Sequence, residues 1–483
     1  MTRFRDAFYY LFFLMLFGFR AIGGYDGWAV YRYTLLAGVL FFILKIASTS
    51  HTITEYLIIG VLLLLAGIVY LRSGEKGLLL DFMMMLGMKE VSEKRLFRLS
   101  AWFLGISMAV LVFLTVCGFL PDVQFGPHGL RLFHLVMMRR SLGYPHVNTL
   151  MTTYVILMML VMYLAGNTDR KTVIRTSCLL FFGAVYLFLY CDSKTGILIS
   201  TGYLVLNYLF QFRRYDGPLQ KAMVYGLYPV INVGVFAGMI AFLPRDASLR
   251  VNSSFGERFR LAAMYWKEIP VTFFGSRLVI PLERGEDYGI DISQIYLFLN
   301  YGIVAFIVVT ILYFLVIRDM FRMKNRGALA IIVTLMIMGV SDPLLYNLSC
   351  KNLTFLFMGM SLYRILSEAA EKRLPVSGKE ICLLPFGDHG IPGNADACLM
   401  RIRNSIFRIM REGNPGRRGR LPAVLSACAA AALYAVCMRS RITPVMNSYE
   451  AGKFEYMRMT VTVAIFCFLA VSMIQHIAIS HRR

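Results

Sequence analysis

Apolar and polar positions along this chain fall into alternating blocks, and most apolar blocks are about as long as a bilayer is thick. Mostly apolar runs cover 28–45, 53–71, 99–118, 147–166, 173–190, 196–212, 222–243, 292–317 and 329–340. A helix needs roughly 20 such residues to cross the hydrocarbon core. Nothing in these runs shows the apolar–polar alternation of a barrel strand, so each is expected to be a helix. Five further runs, 8–22, 77–88, 344–362, 421–438 and 459–477, are shorter, carry a charge such as Arg20, Asp81 or Lys351, or follow a long polar gap. The expected fold is all-α: a polytopic membrane protein with about twelve transmembrane helices plus two C-terminal hydrophobic helices.

The polar blocks set an orientation. Short loops rich in Lys and Arg stay on the cytoplasmic side. Alternating the spans from the Arg3 and Arg5 start places the basic connectors 89–98, 169–175, 213–221, 318–326 and 364–373, with Arg482 and Arg483, on that side. The alternation holds only if the short run 77–88 crosses or pairs with a segment that does. It predicts a multi-pass protein of the cytoplasmic membrane with both termini cytoplasmic, and puts two long loops, 120–146 and 244–291, outside.

Composition agrees, with 58% hydrophobic and 16% charged residues. The net charge of +22 is accounted for by the cytoplasmic connectors, so no nucleic-acid partner is expected. The nine cysteines form no CxxC pair, and neither a disulfide framework, a metal site nor a cofactor is expected from them. No small-x-small cleavage site follows the first apolar run, which reads as a retained anchor. Residues 1–366 are read as the multispanning domain. Residues 367–420 read as a cytoplasmic basic linker, in which a helix over 399–411 would set Arg401, Arg408 and Arg411 against Ile402, Ile406 and Ile409, a face suited to anionic lipid. Residues 421–483 form a hydrophobic hairpin without an assigned role.

Candidate chemistry lies in the two outer loops. The first ends in Arg139-Arg140-Ser-Leu-Gly-Tyr-Pro-His146-Val-Asn148 and runs into a helix. Adjacent guanidinium groups suit phosphate oxygens, although they would also anchor an interfacial helix on phospholipid. The second contains Arg245, Arg250 and Gly256-Glu-Arg258-Phe-Arg260, and closes on Asp291. Arginines on an outer loop run against the usual charge bias and suggest a task, although a surface helix with ordinary ion pairs would look similar.

With the Asp192-Ser-Lys-Thr-Gly196 turn and Asp291-x4-Tyr296 followed by Asn300-Tyr-Gly302, these motifs occur in an order and spacing that resembles the O-antigen polymerase family, within the O-antigen ligase-like superfamily, over about residues 1–366. The chain has His146-Val147-Asn148 where many relatives carry His-Pro-Asn, Ser193-Lys194-Thr195 where many carry Ser-Arg-Thr, and Asp291-Ile292 where Asp-Asn is frequent. The resemblance implies a glycosyltransferase that joins polyprenyl-diphosphate-linked oligosaccharide units outside the membrane, without metal or nucleotide sugar. It implies Arg258 as the group at the departing diphosphate, with Arg140, Arg139 and Arg260 binding it, and His146 or Asp291 as the base. It is compatible with a chain-length regulator and a flippase as partners. A glycan ligase of the same architecture, or a transporter of lipid-linked glycan, are the alternatives. Tags inserted after Gln124 and after Glu283 are expected to react with an impermeant reagent from outside, and a tag after Gly390 is not; protection of the Glu283 tag would overturn the alternation.

Overall fold

The computed structural model describes residues 4–24, 28–120, 122, 124–130, 135–166, 169–212, 217–243, 254–278, 289–342, 345–346, 352–372, 380–384, 424, 427–431, 459–465, 467–468 and 471. The expected amphipathic helix at 399–411, most of the linker and hairpin, Arg245, Arg250 and Lys351 lie outside the described residues.

Helices dominate. They are α1 (Phe4–Phe13), continued by a π-helical turn Leu14–Gly18 into α2 (Phe19–Ala21), then α3 (Ala29–Ser48), α4 (Ile53–Ser73), α5 (Gly77–Leu86), α6 (Glu93–Val116), α7 (Val147–Ala165) and α8 (Arg170–Cys191). The series continues with α9 (Lys194–Phe212), α10 (Pro218–Phe242), α11 (Ser254–Glu268), α12 (Ser293–Tyr296), α13 (Gly302–Arg322), α14 (Arg326–Met338) and α15 (Thr354–Lys372). Among the described residues, seven helical stretches are long and apolar enough to cross a membrane, with mean hydropathy between 1.6 and 2.4. Yet only 22% of the apolar stretches of α3 and α8 is buried. Apolar rows such as Leu36, Leu40 and Ile43 on α3, and Leu57, Val61 and Leu64 on α4, face outward at helical spacing. Rows of this kind suit lipid and not water, and the chain is a helical, polytopic membrane protein.

The remaining helices are shorter, less apolar or broken. Helix α5 is buried along almost its whole length. Its first residue adjoins Tyr301 and Tyr346, and Gly87 just past its last residue adjoins Tyr9. The boundary expected at 366 falls inside α15, because Ser367-Glu-Ala-Ala-Glu-Lys372 contains strong helix formers that continue the helix past its apolar part.

The bundle has two poles. One gathers the basic connectors, cross-linked by Lys45–Asp6 (3.2 Å), Lys89–Glu55 (2.6 Å), Arg5–Glu90 (2.8 Å) and Arg364–Asp319 (2.8 Å). The other carries an antiparallel hairpin that helical periodicity gave no sign of, β1 (Gln124–Leu130) and β2 (Leu135–Arg140), with Gln124 opposite Arg140 and a bulge between Phe125 and His128. Tyr144, just after the hairpin, donates to the Ala21 carbonyl at 3.2 Å and holds this pole to α2.

A break in one long helix shapes the hairpin pole. A π-helical turn at Leu297–Tyr301 separates α12 from α13, and Gly302 sits at φ +88. The freed amides of Ile303 and Val304 donate to the carbonyls of Thr272 and Phe273, each at 3.1 Å. Backbone polar groups at a membrane helix break require partners inside the protein, and the segment after α11 supplies them. The approach is so close that a Cβ on Gly302 would lie 2.3 Å from the Gly275 nitrogen. Gly302→Ala is therefore expected to cost about 2 kcal/mol or more, lowering the thermal midpoint of the purified protein. Gly60→Ala, where a Cβ would meet nothing within 4 Å, should leave the midpoint unchanged or raised.

Candidate functional site: a cationic cavity at the hairpin pole

Beside the hairpin lies a cavity of about 230 Å³. Its charged lining comes from four separate stretches: Arg139 at the end of β2, Asp192 and Lys194 where α8 gives way to α9, Arg258 on α11, and Asp342 after α14. Asn148 and Thr152 on α7 complete the polar wall, and Val155, Ile199 and Met338 add an apolar side.

Each charge is held by a specific local cause. Arg139 donates through Nε to the Cys191 carbonyl at 2.8 Å and through Nη2 to Asn148 Oδ1 at 3.3 Å, so it ties the hairpin to the ends of α7 and α8. Burial lowers its pKa from the usual arginine value, and the neighbouring Asp192 charge opposes that shift. Asp192 closes α8 in the left-handed conformation at φ +46, which Asp tolerates better than most side chains. Only Ser193 then separates α8 from α9. Gly196 lets α9 start against α7, since a Cβ there would lie 2.2 Å from Met151 Cγ. Lys194 is exposed and sits in the first turn of α9, where the positive end of the helix dipole adds to its charge. Both carboxylate oxygens of Asp192 are buried and accept no hydrogen bond within the described structure.

Arg258 donates through Nε to Asp291 at 3.3 Å, its one hydrogen bond among the described residues. Among the described residues its two terminal nitrogens meet no hydrogen-bond partner, and two parallel donors of that kind match the oxygens of a phosphate. Asp291 has a pKa raised by burial, an effect that the charge and hydrogen bond of Arg258 and the charge of His146 oppose.

The expected site residues thus separate into two groups. Arg139 and Arg258 meet in the cavity, with Asp291 behind Arg258. Arg140 instead pairs with Asp122 at 3.0 Å, while the other oxygen of that carboxylate accepts the Ser141 and Leu142 amides; this arrangement braces the turn after the hairpin. Arg260 lies on the Glu257 carboxylate one turn back. His146 caps α7, with Nδ1 accepting the Asn148 amide at 3.1 Å. That bond places the proton of the neutral ring on Nε2, so the ring presents a donor there and not a base. Thr152 and Asp342 were not expected from the sequence. Thr152 lies one helical turn beyond Asn148 on the same face, and Asp342 directly follows an apolar run at this pole; both signals are weak but legible. Thr152 Oγ1 donates to Asp342 Oδ2 at 3.1 Å, and the Ser293 hydroxyl donates to the Asp342 carbonyl.

Among the described residues, no cluster of His, Cys, Asp or Glu is arranged to hold a metal. Compared with protein-family models, curated proteins and solved structures, the chain shows no match.

Burial lowers the His146 pKa from its ordinary 6.5, Arg139 lowers it further and Asp291 raises it. Neutral imidazole reacts with diethyl pyrocarbonate, so the modification that disappears in His146→Gln should have its pH midpoint below 6.5. Arg139→Gln should raise that midpoint and Asp291→Asn should lower it.

Proposed function

We propose that this chain polymerises polyprenyl-diphosphate-linked oligosaccharide repeat units into a surface polysaccharide, by glycosyl transfer at the outer face of the cytoplasmic membrane. The observation that supports this most is the convergence of Arg139, Lys194 and Arg258 on one cavity, at the pole opposite the basic connectors. In this reading twelve helical segments, counting α1 with α2 and α12 with α13 as one each and omitting α11, cross the membrane. The basic pole is cytoplasmic, by the charge bias of short loops, and the cavity opens outward.

The chemistry follows from where charge develops. When a sugar leaves its diphosphate, negative charge grows on the departing oxygens, and cations already in place lower the barrier without reorganising. Arg258 offers two nitrogens to those oxygens, Arg139 and Lys194 flank them, and the α9 N-terminus contributes its dipole. Neither Arg140 nor Arg260 is needed for this step, since carboxylates of the chain already hold both.

An ammonium cannot reproduce the two-nitrogen edge of a guanidinium. Arg258→Lys is therefore expected to slow polymer formation by about 10²- to 10³-fold, measured with lipid-linked repeat units and membranes holding equal amounts of each variant. Arg260→Lys should stay within a few-fold of the unaltered protein. Near-normal polymer from both Arg258→Lys and Arg258→Ala would mean that the cavity does not act on the diphosphate.

A further inference from the structure

Glycosyl transfer to a hydroxyl needs a group that takes the hydroxyl proton, and four carboxylate or imidazole groups lie in or near the cavity. His146 has Nδ1 occupied by the Asn148 amide and does not line the cavity. Asp291 faces Arg258 and lies outside the lining as well. Asp192 lines it, but both carboxylate oxygens are buried out of reach. Asp342 lines the cavity beside the three cations and is half-buried, so a ligand can reach it. Its orientation is fixed twice, at Oδ2 by the Thr152 hydroxyl and at the main chain by the Ser293 hydroxyl. The Ser293 amide is also bound to the Gly339 carbonyl at 2.8 Å, which sets the end of α14 and hence the segment that carries Asp342.

We propose that Asp342 is the catalytic base: its carboxylate takes the proton of the acceptor-sugar hydroxyl within the cavity. The proposal rests on the transferase reading of this cavity. As the hydroxyl oxygen forms its bond to the anomeric carbon, the bond from that carbon to the diphosphate oxygen breaks and its electron pair leaves with the diphosphate, held by the cationic wall. The proton ends on Asp342 and passes to water before the next cycle.

The variant that separates this role from a structural one is Asp342→Asn. An asparagine oxygen still accepts the Thr152 hydroxyl and keeps the shape, but it cannot take a proton. With the purified full-length chain and lipid-linked repeat units extracted from cells lacking it, kcat should fall by about 10²- to 10⁴-fold, with KM within a few-fold. Formate should restore part of the rate to Asp342→Ala and none to Arg258→Ala. Should the Asn variant fail to accumulate, Asp342→Glu against Asp342→Gln makes the same comparison, with Glu the more active. An Asn variant within about threefold of the unaltered chain overturns the assignment and leaves the transferase reading standing. Absence of polymer from the unaltered chain overturns both.

Discussion

Three positive charges share one small cavity at the end of an apolar bundle, and most of the local architecture can be read as a response to that repulsion. Like charges in a medium less polar than water repel strongly. Two carboxylates, Asp192 and Asp342, lie in the same cavity, and a third, Asp291, holds Arg258 from behind. The balance still leaves one more cation than anion in the lining. Asp291 brings the sum of charges to zero, but it lies behind Arg258, so the wall that faces the cavity stays on balance positive.

Holding those charges demands rigid backbone, and the chain obtains it by an unusual route. A continuous helix from 293 to 322 would have no need of the segment after α11. The π-helical turn at 297–301 and the positive φ of Gly302 break it, and the amides so freed are satisfied by the carbonyls of Thr272 and Phe273. That pairing fixes the far end of α11 and with it the height of Arg258. The same broken element begins at Ser293, which binds Asp342 and the end of α14. One broken helix is therefore tied both to the segment after the Arg258 helix and to Asp342.

The apolar runs and the turn between α8 and α9 were legible in the sequence because they depend on local composition alone. Which arginines reach the cavity was not. Arg139 and Arg140 are neighbours on a strand, and successive strand side chains point to opposite faces. One therefore turns to the cavity and the other to Asp122, and only knowledge that 135–140 is a strand decides which. Arg258 and Arg260 differ in the same way on a helix, where two residues rotate the side chain by about 200°; Arg260 is carried round to Glu257. Asp342 could not be ranked from sequence, since its importance comes from Thr152 and Ser293, 190 and 49 residues away.

The shape of the cavity also bears on what kind of work the charges do. A carrier of lipid-linked glycan would be expected to offer polar groups through the membrane from one side to the other. Here Asn148 and Thr152 give way along α7 to Val155, and Lys194 and Thr195 give way along α9 to Ile199. Beyond them on α7, Met158, Met159 and Met162 are fully buried, and so is α14 from Ala328 to Ile332, apart from 2% exposure at Leu329. The polar lining ends within about two helical turns of the hairpin pole. A cavity with charge at its mouth and tightly packed apolar residues beneath it offers an anion a place at the surface and no polar path beyond it. Within the proposed reading this shape suits a transferase better than a carrier, since a carrier would need polar groups along the apolar depth where charge is costly.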